Sequence, residues 1–66
     1  MIKEKRKSLH LTQVQMAEKL GISVRQYVRI DHEEGFPRRE VLQKLITTLE
    51  LSDEEVGQYI RDICKS

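Results

Sequence analysis

At 66 residues, with a net charge of +1, one Phe, no Trp and one Cys, the chain has the size of one small domain, able to bury only about 60% of its unfolded surface. That leaves no room for a deep catalytic pocket, and neither a disulfide framework nor a four-cysteine metal site is available. The basic IKEKRKS near the N-terminus is not followed by an apolar run of secretory-signal length, and no segment is long enough to span a bilayer, so a soluble cytoplasmic protein without membrane contact is expected.

The first predicted helix covers about residues 2 to 8, with Ile2 and Leu9 as its only apolar anchors. Thr12 followed by Gln15 is a capping-box pattern and starts a second helix over about 13 to 20. Ala17 is small where a neighbouring helix must approach closely, and Gly21 stands just past the last turn, where a left-handed residue is needed. Ser23 followed by Gln26 repeats the capping pattern and opens a third helix over about 24 to 33. Met16, Leu20, Ile22, Tyr27 and Ile30 have the spacing to close a core between these two helices. Pro37 suits the start of a fourth helix, over 38 to 49, whose stripe is Leu42, Leu45, Ile46 and Leu49. Ser52 followed by Glu55 marks a fifth, over 53 to 63. No alternating β-branched run and no repeat is present, so the fold class is all-α.

Charge is uneven along this order. Residues 1 to 30 carry seven Lys or Arg against two acids, or +5, and residues 31 to 66 carry five against nine, or −4. One end therefore suits a polyanion and the other does not. On the third helix, core packing accounts for Tyr27 and Ile30 but not for Val24, Arg25, Val28 and Arg29. A solvated face normally carries Glu and Lys pairs. Here two arginines, each able to bond guanine O6 and N7 bidentately, stand beside two valines able to meet a thymine methyl.

LTQVQMAEKLGIS, the Arg29-Ile30-Asp31 triplet and the later FPRREVLQKLITTLELSDEEV occur in one order. Together they resemble the Cro and phage-repressor type of helix-turn-helix domain, the Xre family, from Ile2 to about Val56. The resemblance implies a compact five-helix, lambda-repressor-like domain spanning residues 1–66, with its helix-turn-helix unit at about 13–32. It also implies a sequence-specific regulator, expected to be a repressor, that places residues 24 to 33 in the major groove of double-stranded DNA. Base reading would fall to Val24, Arg25, Gln26 and Arg29, and phosphate binding to Thr12, Gln13, Ser23, Arg38 and Arg39. For Gln26 two roles stand open, completion of the Ser23 cap or a DNA contact. Arg6 and Asp31 match a structural pair between the first and third helices. His10 stands where the family often has Gly, and Glu33 stands two positions after the triplet, where Gly is common. The third helix is accordingly expected to run a turn longer, and Glu33 and Glu34 must point away from the phosphate path or weaken binding.

His10, His32, Cys64 and the acids of DHEE show no paired ligand spacing, so no metal is expected. Nor is an enzyme expected: there is no Gly-rich phosphate loop, and Ser8 with His10 lacks a placed third partner. No cofactor or small-molecule substrate follows either. One recognition helix reads few base pairs, so a homodimer on half-sites about 34 Å apart is expected. Its interface would be the helix at 53–63, through Tyr59, Ile60 and Ile63, unless that stripe folds back on its own domain. The competing function is a protein-binding module, such as an antitoxin or anti-repressor partner.

Overall fold

The computed structural model describes residues 1–65, which form five helices and no strand. These are α1 (Ile2–Ser8), α2 (Gln13–Leu20), α3 (Val24–Asp31), α4 (Arg39–Leu49) and α5 (Asp53–Lys65). All three expected capping boxes are formed. Thr12 and Gln15 exchange main-chain and side-chain bonds at 2.8 and 3.1 Å, Ser23 and Gln26 at 3.0 and 3.1 Å, and Ser52 and Glu55 at 2.9 and 3.2 Å. Each pair satisfies two N–H groups that a helix start leaves open.

The first four helices stop in one way. Beyond each, a left-handed residue turns the chain: His10 (φ 58), Gly21 (φ 70), Glu33 (φ 55) and Glu50 (φ 53). Its amide and the next one then donate back to carbonyls inside the helix, as His10 to Lys7 and Leu11 to Arg6 do at α1, and Glu33 to Ile30 and Glu34 to Arg29 at α3. This is the Schellman arrangement. Only Gly21 among the four adopts it without crowding its own Cβ. The stop at Glu33 corrects the expectation of a longer third helix: α3 ends at Asp31, because Glu33 takes the left-handed conformation that turns the chain out of the helix.

The core joins Ile2 of α1, Met16, Ala17 and Leu20 of α2, Tyr27 and Ile30 of α3, and Leu45 and Leu49 of α4 to Leu51, Tyr59 and Ile63. Ile2 is fully buried, so it gives the short first helix an apolar anchor at its start. Ile22, Leu42, Ile46 and Val56 pack at the margin. Tyr59 and Ile63 correct a second expectation. Both lie inside the domain, at 0% and 7% exposure, which leaves Ile60 as the one half-buried member of the expected dimer stripe. Once α5 folds back, its i, i+4 ridge covers the bottom of the core. A bond from Lys5 Nζ to Glu55 Oε2 at 3.2 Å ties the start of α5 to α1.

Candidate nucleic-acid interface

Asp31 fixes how α3 sits. Its buried carboxylate accepts four bonds: from Arg6 Nε at 3.3 Å and Arg6 Nη2 at 2.9 Å, from the Tyr27 hydroxyl at 2.7 Å and from Gln13 Nε2 at 3.2 Å. One side chain thereby ties together α1, α2 and α3. Burial alone would raise the carboxyl's pKa, but the bonds from Arg6, Tyr27 and Gln13 outweigh it and hold the group below its ordinary value. Tyr27 is driven the other way, above the ordinary phenol, by burial and by donating to Asp31. Arg6 also donates through Nη1 to the Leu11 carbonyl at 2.8 Å, holding the link between α1 and α2. The expected Arg6–Asp31 pair is therefore present. The Tyr27 bond is an addition whose only signal in the sequence is the i, i+4 spacing of Tyr27 and Asp31.

With its inner side anchored, α3 turns Val24, Arg25, Gln26 and Arg29 outward, all exposed, while Val28 is half-buried. Among the described residues, no hydrogen bond or ion pair engages the side chain of Arg25 or Arg29. Gln26 completes the cap through Oε1, which accepts from the Ser23 amide. The cap does not use its Nε2, so the two roles left open for Gln26 are compatible. Ser23 Oγ accepts from the Gln26 amide at 3.1 Å, and Thr12 Oγ1 accepts from the Gln15 amide at 3.1 Å. Both hydroxyl oxygens are thus used in capping, at the two helix starts that frame the outer face of the turn.

The expected phosphate ligands separate into two places. Gln13 lies at the first turn of α2, half-buried, with one Nε2 hydrogen directed to Asp31 and a second left to donate. Arg38 and Arg39 are exposed at the start of α4, where no side chain caps the helix. Between α3 and α4 runs an open groove of about 460 Å³ lined in part by Ile22, Gln26, Arg29, Phe36, Arg38 and Lys44. The concern over Glu33 and Glu34 divides as well. Glu33 Oε1 is buried and lies 3.5 Å from the Met1 ammonium, so that carboxylate turns into the domain. Glu34 stays exposed. Among the described residues, no group of three or more His, Cys, Asp or Glu gathers to hold a metal, and no helix is long and apolar enough to cross a membrane.

A family model described as helix-turn-helix matches residues 2–56. The chain is similar to the cryptic phage CTXphi transcriptional repressor RstR of Vibrio cholerae serotype O1, with 41% identity over 58 residues that cover 86% of this chain and 52% of that protein. It therefore spans about half the length of that relative. No solved structure matches the chain.

Proposed function

The chain belongs to the helix-turn-helix family of Cro and phage-repressor type, and from that premise we propose that it is a transcriptional repressor that binds double-stranded DNA sequence-specifically, without a catalytic step, in the cytoplasm. The observation that carries the proposal is the outer face of α3: two exposed arginines engaged by no other side chain, beside an exposed valine, on a helix whose inner face is fixed by four bonds to Asp31. A base-reading helix needs both properties, because a bidentate contact requires the guanidinium to arrive in one register.

In this reading α3, over residues 24 to 31, enters the major groove. Arg25 and Arg29 donate to guanine O6 and N7, Val24 meets a thymine methyl, and the Gln26 amide Nε2 donates to a base or phosphate acceptor. Gln13 directs its second Nε2 hydrogen to a phosphate while Asp31 holds the first. The open N–H groups at the start of α2, close to Thr12, face the same strand. Ser23 stands at the backbone where α3 enters, and Arg38 and Arg39 meet phosphates on the other side of the groove. Two copies related by a two-fold axis would read half-sites about 34 Å apart. Since Tyr59 and Ile63 lie inside the domain, Ile60 is the member of the expected stripe left to contribute at α5. Repression follows from occupancy of a promoter.

Selection of duplexes from a random library, followed by titration of the winner at several salt concentrations, tests this. The expected result is an enriched motif and a log affinity that falls linearly with log salt, by about 0.9 per phosphate contact. Absence of enrichment, together with salt-insensitive association, would overturn it in favour of a protein-binding module.

A further inference from the structure

Phe36 is 52% exposed, the most exposed of the large apolar side chains on the described surface. Its exposure is built into the backbone. Gly35 precedes it in the left-handed region at φ 72, and Pro37 follows, which restricts Phe36 itself to extended conformations. The ring therefore stands out from a stiff turn. It lines the groove between α3 and α4 together with Gln26 and Arg29, which belong to the proposed reading face, and with Arg38 and Lys44.

Charge decides what this ring faces. Three cations line the groove, Arg29, Arg38 and Lys44, against the single acid Glu40. A second copy seated here about a two-fold axis would bring the same cations against themselves, whereas a nucleic-acid strand neutralises all three. The groove is also continuous with the outer face of α3, so DNA lying along α3 passes over Phe36.

We propose that Phe36 is a specificity-determining DNA contact, its ring packing on the 5-methyl group of a thymine just beyond the base pairs reached by Arg29, while Arg38 engages the adjacent phosphate. This rests on the DNA-binding reading above and extends it to a residue outside the recognition helix. Aromatic contact with a thymine methyl supplies base preference without a hydrogen bond.

The test uses the full chain and the duplex that it selects. Phe36→Ala is expected to weaken binding about tenfold, as the loss of one buried aromatic contact predicts. It should leave the salt slope unchanged, because no charge is removed, and a repeated selection should lose one thymine preference at the edge of the motif. A second measurement does not depend on how the variant folds. Replacing each thymine of the duplex by deoxyuridine in turn should weaken wild-type binding about threefold at that one edge position. Wild-type affinity for Phe36→Ala, or no edge position sensitive to uridine, overturns the proposal while DNA binding stands. If Phe36→Ala instead weakens self-association in sedimentation and its DNA affinity recovers at high protein concentration, the ring belongs to an interface between copies and the proposal fails. A wild-type chain that enriches no duplex removes this proposal and the DNA-binding reading together.

Discussion

Helices α3 and α5 carry comparable apolar stripes at helical spacing, and the molecule uses them in opposite ways. In α3 the stripe of Tyr27 and Ile30 goes inward and a basic, partly apolar face remains outside. In α5 the stripe of Tyr59 and Ile63 also goes inward, but the outer side is ordinary polar surface, where Gln58 and Asp62 bond each other at 2.8 Å. Spacing therefore identifies a buried face without naming what buries it. A stripe is evidence for an external partner only when the core is already closed without it. Tyr59 and Ile63 are themselves members of this core.

The largest expected effect separates these two helices directly. Tyr59 is fully buried, so Tyr59→Ala should cost about 3–5 kcal/mol, most of the margin available to a chain of this size. Thermal and urea unfolding would measure it. A small loss of stability with a large change in self-association would restore α5 as an interface. Tyr59→Phe should behave differently. The Tyr59 hydroxyl is buried without a hydrogen-bond partner, and burial together with the charge of Glu33 pushes its pKa up to about 12. Removing it should be neutral or mildly stabilising.

On the α3 side, the equivalent test is Asp31→Ala, which leaves the Arg6 guanidinium buried without its partner and should cost about 3–4 kcal/mol. The same carboxylate sets an acid limit. Its folded pKa lies below the ordinary value of 3.8, so its contribution is fully present above that value and is lost as pH falls through the lower, folded one. Wild-type stability should therefore drop below about pH 4, and the drop should be shallower in Asp31→Asn; parallel acid profiles for the two would rule the hub out as its cause. Arg25→Ala ranks next. It should change stability by no more than about 0.5 kcal/mol, yet weaken operator binding by about 1–3 kcal/mol and relax one base position. Equal losses of stability and binding would mean that the outer face of α3 is structural after all.

What was legible in the chain follows the range of the forces involved. Capping boxes act over three residues, and Thr12, Ser23 and Ser52 all formed them. Gly21 announces a left-handed turn by residue type and His10 by the resemblance, which often has Gly there, and both adopt it. Glutamate announces nothing of the kind by type: at Glu33 the sole signal is the resemblance, which has Gly there, and at Glu50 there is none, so residue type alone carries α3 on to 33 where the structure ends it at Asp31. The hub at Asp31 was half legible. Arg6 with Asp31 came through the family resemblance, but Gln13 and Tyr27 converge on the same carboxylate only once three helices have packed. The fate of α5 was the least accessible, because it depends on whether the other four helices leave the core open.

The smallest effect lies just beyond α3, at Glu33, whose charge acts on Tyr59 of α5. Glu33 ends α3 in the left-handed region at φ 55, which costs a residue with a Cβ roughly 1–2 kcal/mol. Its buried Oε1 accepts no hydrogen bond and has the Met1 ammonium at 3.5 Å as its ion-pair partner, and its charge acts on Tyr59. Glu33→Gly removes the strain, the buried oxygen that accepts no hydrogen bond and the charge. Against this stand the greater freedom of glycine in the unfolded chain, about 0.5–1 kcal/mol, and loss of the 3.5 Å ion pair with the Met1 ammonium, whose contribution at the surface is at most about 1 kcal/mol. The balance should be a stabilisation of about 0.5 kcal/mol, read as a small rise in melting temperature, with the Tyr59 phenol titrating nearer its ordinary value. Glu50→Gly provides the control, since Glu50 shares the backbone strain at φ 53 but lies exposed. If it stabilises the protein as much as Glu33→Gly does, strain alone accounts for both and the Glu33 carboxylate contributes nothing. If Glu33→Gly destabilises while Glu50→Gly stabilises, the ion pair with Met1 outweighs the strain, and Glu33 fastens the end of α3 to the N-terminus rather than being a tolerated misfit.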